Sequence, residues 1–569
     1  DNMKRLPLTR RQMLSGLSAS LLLPVGLRVP SVSGSPGNPF QHGVASGDPE
    51  QSSTVLWTRL TTTAKSVECG WEVAQTPQFD NILQRGSLAT GPQRDHTIKV
   101  VVAGLTPGAT YYYRFRAGQH TSPTGRTRTL ADGTLESLGL AVASCSNFPF
   151  GYFNAYEAIA RDESVEFVLH LGDYLYEYGP DGYGGGIGAQ LGRQHNPPRE
   201  MVSLADYRQR HAQYKADPQS RAMHAAHPLI PLWDDHESTN NPWLGGAENH
   251  QPAAEGSWQT RRSVSLQAWY EWMPVREPAS DEDPAAYWRH FRFGDLASLV
   301  TLETRHTGRV QQIEYDISTL LEMTPASAES FLQDVVGAPG REMLSDDMQA
   351  FAAAALAESV SAKRPWRLIG NQIPIARMAA PQLAAADIDY LESRVSSDNL
   401  QRAKYFQRLG ELGLPLYLDP WDGYPRAREA FYQSCREAGA SDLVVLTGDS
   451  HSFWQNALYD DTGRAMGIEL GTTGITSPGD FLEFGNEGAR LMDDRLVASN
   501  PEILWTNGIS NGYLRVHITP DQLQADFVSV SSILSHDYDT GTLRSLTVRH
   551  EGAGLSYAVA GEGTGENTP

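Results

Sequence analysis

Val165-Glu166-Phe167-Val168-Leu169-His170-Leu171-Gly172-Asp173-Tyr174-Leu175-Tyr176 decides how the rest of the chain is read. An apolar run of strand length, Val165–Leu171, ends abruptly in a Gly-Asp turn followed by aromatic residues. The same grammar recurs after about Gly133. Leu138–Ala143 precedes Ser144-Cys145-Ser146, Leu229–Trp233 precedes Asp234-Asp235-His236-Glu237, and Leu299–Leu302 precedes Glu303-Thr304-Arg305. Trp366–Ile369 precedes Gly370-Asn371-Gln372, and Leu443–Leu446 precedes Thr447-Gly448-Asp449-Ser450-His451. Helical patterns lie between these runs, so residues 133–560 are expected to form an α/β domain, a sheet core flanked by helices. Such folds place their sites just past strand ends. One polar ending is ordinary loop chemistry, but a series rich in Asp, His, Asn and Cys implies one shared site.

Upstream, residues 39–132 carry short β patterns: Val55-Leu56-Trp57, His96 to Val102, and Ala109 to Phe115 after the turn signal Thr106-Pro107-Gly108. These predict an antiparallel sandwich without catalytic residues. The Gly- and Pro-rich stretch between Tyr178 and Leu229 reads as an excursion over the active face. Residues 317 to 361 read as helical, clearest from Phe351 to Ala357. Tyr513 to Ile518 and Leu546 to His550 read as closing strands, and the tail beyond Ala560 as disordered.

The 569 residues are 40% hydrophobic and 20% charged, enough for a large core and, by length, roughly three or four domains, or one large catalytic domain with a smaller module. With 46 Lys+Arg against 67 Asp+Glu, the net charge of −21 speaks against a nucleic-acid-binding surface or an anionic-membrane coat. Three cysteines, Cys69, Cys145 and Cys435, cannot all pair within the chain. Residues 1–35 read as an address. Thr9-Arg10-Arg11-Gln12-Met13-Leu14 sets two arginines before an apolar run to Leu27, similar to a twin-arginine export signal, with a plain basic tail as the alternative. That run is too short for a stable membrane span. The expectation is a periplasmic or secreted protein handled by the twin-arginine export machinery.

Gly172-Asp173 offers a carboxylate held by a tight turn, and a carboxylate can bridge two metal ions. Asp234-Asp235-His236-Glu237 at the end of an apolar run would be costly to desolvate without a cation. Asp449 and His451 supply an oxygen and a nitrogen ligand two residues apart. Taken in order, these blocks are joined by Ser144-Cys145-Ser146-Asn147, Tyr176-Glu177-Tyr178, Asn240-Asn241, Trp269-Tyr270-Glu271-Trp272-Met273-Pro274, Gly43-Val44-Ala45-Ser46-Gly47-Asp48-Pro49 and Gly471-Thr472-Thr473-Gly474. The ordered set resembles the PhoD-type alkaline phosphatase/phosphodiesterase family over nearly the whole chain after the signal.

That resemblance implies a metallophosphoesterase-like core related to purple acid phosphatases, an N-terminal immunoglobulin-like domain, and a ferric ion (Fe3+) with calcium ions (Ca2+) nearby. It implies iron ligation by Cys145, Asp173, Tyr176 and His451, with Asp173 bridging to calcium. Asp235, Asp449 and one of Asn240 or Asn241 complete that side, with Asn240 taken as the ligand. Thiolate and phenolate suit a ferric centre, whereas calcium prefers oxygen donors. The implied reaction is in-line attack of a metal-activated water on phosphate mono- or diesters, without a covalent phosphoenzyme. His236 is the candidate proton donor to the leaving group or orienter of substrate, with a supporting role as the alternative. Arg305 can grip a phosphate bidentately, set against the plainer reading of a surface salt bridge. The family's pattern has Asp where Glu303 stands, so Glu303 is not assigned as a ligand.

Two other readings compete. Within the family, a phospholipase-D-like diesterase shares the same metal motifs. From another class, Gly448-Asp449-Ser450 is similar to the nucleophile block of Gly-Asp-Ser esterases, with Ser450 attacking; that block normally opens its domain and here comes late. A non-catalytic binding protein built on the sandwich would leave the clustered ligands unexplained.

Overall fold

In the computed structural model residues 37–558 are described. The expected export segment 1–35 and the tail beyond Ala560 lie outside the described residues.

Two mixed sheets form the frame. Leu138–Ala143, Phe167–His170 and Leu229–Pro231 lie parallel at the centre of a ten-stranded sheet. Gly512–Ile518 flanks Leu138–Ala143 antiparallel and leads outward to Leu523–Val530, Thr540–Glu551 and Gly554–Tyr557. The seven-stranded sheet is centred on parallel Ala297–Thr301, Trp366–Gly370, Leu443–Thr447 and Ala465–Gly471. The two sheets pack face to face. Leu140, Val142 and Val168 from one share a buried cluster with Leu299, Leu368, Val444 and Leu446 from the other.

Period-2 alternation explains this layering. In the second sheet Leu299, Val444 and Leu446 point to the shared core, whereas Val300, Leu443 and Val445 point to a separate cluster beneath the helices Asp346–Ser361 and Pro425–Glu437. A strand buried on both faces needs the unbroken apolar run that the sequence carries. The helical stretch 317–361 resolves into Ile317–Glu322, Pro325–Ser330 and Asp346–Ser361, with a π turn at Phe331–Val336. Ser345 caps the longest of these by accepting from the Met348 amide.

The N-terminal module is β-rich as expected, but one of its two layers is not its own. Ser53–Arg59 and Thr97–Ala103 continue the large sheet through Val44–Gly47, which pairs parallel with Leu229–Pro231 at Gly47↔Leu229. The opposing layer is Val67–Ala74, Ile82–Thr90 and Thr110–Ala117, with the short strands His120–Thr121 and Gly125–Arg128. Asp48, at φ 46, follows that junction, accepts from the Arg276 amide at 2.9 Å and pairs with Arg276 and Arg289. The sandwich is thereby fastened to the two-sheet body next to the strand Leu229–Pro231.

Candidate metal centre

The turns after four central strands meet at one point. Phe167–His170 runs into Gly172 at φ 98 and Asp173 at φ 53. A Cβ on Gly172 would stand 2.3 Å from the Asp234 backbone nitrogen, so glycine is what lets the Asp173 and Asp234 turns stand back to back. Gly448 does the same elsewhere: its Cβ would stand 2.4 Å from Ser144 Oγ, bringing the Asp449 and Cys145 turns together. Among the described residues ten non-glycine positions have positive φ. Five of them are Cys145, Asp173, Asn241, Asp449 and His451, all in the expected ligand set or beside it. Such conformations cost about 1–3 kcal/mol each and cluster where surroundings enforce a functional geometry.

Ligand-type atoms lie within 4.8 Å of one another in three groups: Cys145, Asp173 and His451; Asp173, Asp235 and His236; and Asp173, Asp234, Asp235 and Asp449. Asp173 is common to all three. On one flank the Tyr176 hydroxyl donates to Asp173 Oδ2 at 3.1 Å and lies 3.4 Å from His451 Nε2. Cys145 Sγ is 3.4 Å from the same carboxylate oxygen. His451 Nδ1 is 2.9 Å from the Pro478 carbonyl, which directs Nε2 into the group. Arg210 donates to the Tyr176 carbonyl and fixes the backbone behind the phenol.

The other flank is made of oxygen atoms and one guanidinium. Arg305 Nε donates to Asp234 Oδ1 at 2.6 Å, and Nη1 meets both Asp419 oxygens at 3.0 and 3.1 Å. Arg305 Nη2 faces Asp449 at 3.8 Å and Asp235 at 4.0 Å. His236 Nδ1 lies 2.7 Å from Glu177 Oε2, its Nε2 3.8 Å from Asp235 Oδ2, and its ring stacks on Tyr176 at 4.2 Å.

All of this is buried. Burial, then the neighbouring Asp235, pushes the Asp173 carboxyl well up. Burial does the same to Asp234 against the pull of Arg305. Burial also opposes charge on Asp235, yet His236 and Arg305 hold it below the usual carboxylate range. The Cys145 thiol and Tyr176 phenol are driven up by burial and then by Asp173. Burial would lower His236, but Asp235, Glu177 and Asp173 raise it. Asp234 Oδ2, Asp235 Oδ1 and Asn241 Oδ1 are buried without a hydrogen-bond partner. Buried oxygens are ordinarily satisfied, and a cation satisfies several at once. The donor set therefore suits metal ions.

Asp173, Tyr176, Cys145 and His451 come together as the sequence suggested, and so do Asp235 and Asp449. The asparagines separate: the Asn240 amide donates to Glu177 Oε1 and its side chain to Glu248, at 2.9 and 3.0 Å. Asn241 donates to Asp235 Oδ2 at 3.0 Å and to Glu248 at 2.8 Å, and its own Oδ1 is the one without a partner. Arg305 is not at the surface. Its side chain is 0% exposed, and only Nη2 remains for a further ligand, so a two-pronged grip on phosphate is not available to it. Glu303 accepts from Trp233 Nε1 and from the amides of Arg305, His306 and Thr307, a turn-holding role. Ser450 accepts from Trp454 Nε1 at 2.5 Å while the His451 ring faces Tyr176, an arrangement unlike a serine–histidine pair. Cys69, Cys145 and Cys435 are all free and buried.

A family model described as PhoD-like phosphatase matches residues 140–527, and one described as PhoD-like phosphatase, N-terminal domain, matches residues 29–131. The chain belongs to the PhoD-like phosphatase family. Alkaline phosphatase D of Bacillus subtilis (strain 168) is 33% identical over 561 residues, 95% of this chain and 87% of that protein. A solved structure of PhoD superposes with a TM-score of 0.74 at 30% identity, covering 93% of this chain and 94% of that one. A purple acid phosphatase from yellow lupin (Lupinus luteus) shares the fold at a TM-score of 0.50 and 10% identity, over 87% of this chain and 73% of that one. This PhoD-like protein is a phosphoric ester hydrolase with a metallophosphoesterase fold. Among its described residues no helix is long and apolar enough to cross a membrane.

Sequence reading alone missed four contributors to this PhoD-like centre. Asp234 joins the oxygen flank, Asp419 anchors Arg305, and Glu177 and Glu237 hold the loops behind these side chains. Asp234 and Glu237 were visible as part of an acidic run. Glu177 stood inside the Tyr176-Glu177-Tyr178 block without an assigned role, and nothing local marks Asp419.

Proposed function

We propose that this chain hydrolyses phosphate mono- or diesters outside the cytoplasm, at a centre of one ferric ion and calcium. Cys145, Asp173, Tyr176 and His451 would hold the iron, and Asp173, Asp235, Asn241 and Asp449 the calcium, with Asp234 beside them. The observation that carries this reading is the position of Asp173, the one carboxylate shared by a thiol–phenol–imidazole group and an all-oxygen group. The first group suits a ferric ion and the second a hard divalent cation. Asn241 replaces Asn240 in this assignment because its Oδ1 is buried without a hydrogen-bond partner and its backbone amide donates to Asp235, whereas the Asn240 amide turns to Glu177.

Cations bound there supply positive charge to the phosphoryl oxygens and acidify water. The chain's own groups do the rest. Arg305 balances Asp234 and Asp419 and offers Nη2 as a single donor toward a phosphoryl oxygen. Glu177 fixes the His236 ring so that Nε2 faces the cluster, where it can pass a proton to the departing alcohol. Export rests on Thr9-Arg10-Arg11 and the apolar run behind it.

Elemental analysis of the purified protein with its visible spectrum tests this directly. The expected result is iron with calcium, a phenolate-to-iron band that Tyr176→Phe bleaches, and loss of phosphate release once the metals are chelated. Undiminished turnover of the metal-stripped protein contradicts the reading. An iron-loaded protein without that band contradicts the role of Tyr176.

A further inference from the structure

We infer that Glu237 is the positioning residue that sets the spacing between the Asp173 turn and the Asp234-Asp235 turn, and with it the grip of the oxygen-donor flank on its cation. The inference rests on the metal-centre reading above.

Glu237 is 3% exposed, and its two oxygens take three backbone amides. Oε2 accepts from Asp173 N at 3.1 Å and Asp234 N at 2.9 Å, and Oε1 accepts from Tyr174 N at 2.7 Å. One oxygen thus ties together two turns that follow two different strands. Those turns are already at the limit of approach, because nothing larger than Gly172 fits between them. Asp173 sits at φ 53, a conformation that must be enforced from outside the residue, and its amide is one of the three that Glu237 holds.

The contacts also say what Glu237 does not touch. Its hydrogen bonds go to backbone amides of the Asp173 and Asp234 turns and to no side chain of Cys145, Tyr176 or His451. Loosening it therefore changes the distance from Asp173 to Asp234 and Asp235 first. A glutamine at this position has nearly the same shape but one acceptor oxygen, with an NH2 in place of the other. In one flip the NH2 faces the Tyr174 N–H; in the other it faces both the Asp173 and Asp234 N–H groups. Either way at least one donor meets a donor. A space-filling role would leave this substitution silent.

Glu469 provides the control. It is 0% exposed and likewise accepts two backbone amides, Ile375 N at 2.7 Å and Ala376 N at 3.1 Å, together with Asn456 Nδ2 at 2.8 Å. It belongs to none of the ligand groups.

The test uses the purified full chain as wild type, Glu237→Gln and Glu469→Gln. Calcium is removed with a calcium-selective chelator, and Ca2+ alone is titrated back by calorimetry beside thermal unfolding and the visible spectrum. Supporting groups behind ligands typically contribute about 10–100-fold in metal affinity. Glu237→Gln is expected to weaken calcium by about that factor while keeping the iron band, and Glu469→Gln to lower Tm with wild-type calcium affinity. Equal calcium affinity in Glu237→Gln and wild type overturns the inference, as does equal weakening in both variants. Should Glu237→Gln not fold, Glu237→Asp keeps the charge but withdraws both oxygens by one methylene. Weaker calcium is then expected, and wild-type affinity overturns the inference. A wild-type protein that binds no calcium removes the metal-centre reading itself and this inference with it, a result distinct from a calcium-binding wild type with an indifferent Glu237→Gln.

Discussion

Glu469 and the Asp234-Asp235 pair are equally hidden from solvent, at 0%, 1% and 0% exposure, yet they are different kinds of buried acid. Glu469 has two backbone amides and an asparagine on its oxygens. Asp234 and Asp235 each keep an oxygen without a partner and lie among further carboxylates, with Arg305 the guanidinium that reaches them. Burial of charge therefore does not by itself mark a site. A carboxylate satisfied by the backbone is architecture, whereas a cluster short of donors is built to receive something positive.

The largest effect is expected at Arg305. Arg305→Ala strips Asp234 of its counter-ion and leaves Asp419 to Arg309 alone, and breaking a buried pair from one side costs about 3–5 kcal/mol. Urea unfolding of the metal-free protein should register a loss of that size, and calcium should recover part of it. At Asp173 the sign is reversed for stability. Asp173→Asn removes the carboxylate shared by all three groups and should lower phosphate release by more than about 100-fold, beyond the range for supporting groups. The metal-free variant should unfold no earlier than its parent, because burial and Asp235 already oppose charge there. Glu469→Gln sharpens the other side: turnover unchanged, with roughly 1–3 kcal/mol lost from unsatisfied amides in denaturant melts.

One further effect is read as a slope with pH and concerns a buried lysine. Lys215 is 1% exposed, donates to the Trp272 carbonyl at 3.1 Å, and lies 4.8 Å over Trp57 and 5.1 Å over Tyr174. Burial lowers its pKa from 10.5 to about 7. Between those values the unfolded chain holds the proton and the folded chain does not, so this group makes stability rise with pH through that window. Below it both states are protonated and its contribution is constant. The slope is at most about 1.4 kcal/mol per pH unit. Lys215→Met should flatten the rise when unfolding free energy is measured across the window, and an unchanged slope contradicts the burial argument.

Much of this was legible along the chain because strand-end chemistry is local. An apolar run followed by Gly-Asp states both a buried strand and a ligand turn, and Leu443–Thr447 before Asp449 lies where such a run predicts. The continuity of the N-terminal layer with the central sheet was not legible, since the Gly47↔Leu229 pairing joins distant segments through backbone groups that carry no signature. Asn240 and Asn241 are identical side chains, and the φ of 49 at Asn241 helps decide which oxygen faces inward. Arg305 read as either a bidentate phosphate grip or a surface salt bridge, because its depth is created by Asp419 and the sheet around it, not by its neighbours in sequence.

The claim that one carboxylate joins two unlike cation sites is tested most directly by anomalous diffraction from crystals of the metal-loaded protein, collected on both sides of the iron edge. An iron peak enclosed by Cys145, Tyr176, His451 and Asp173 is expected, with a second peak without an iron edge on the far side of Asp173, between Asp235, Asn241 and Asp449. Iron in both positions, or density peaks that leave Asp173 uncoordinated, would contradict it.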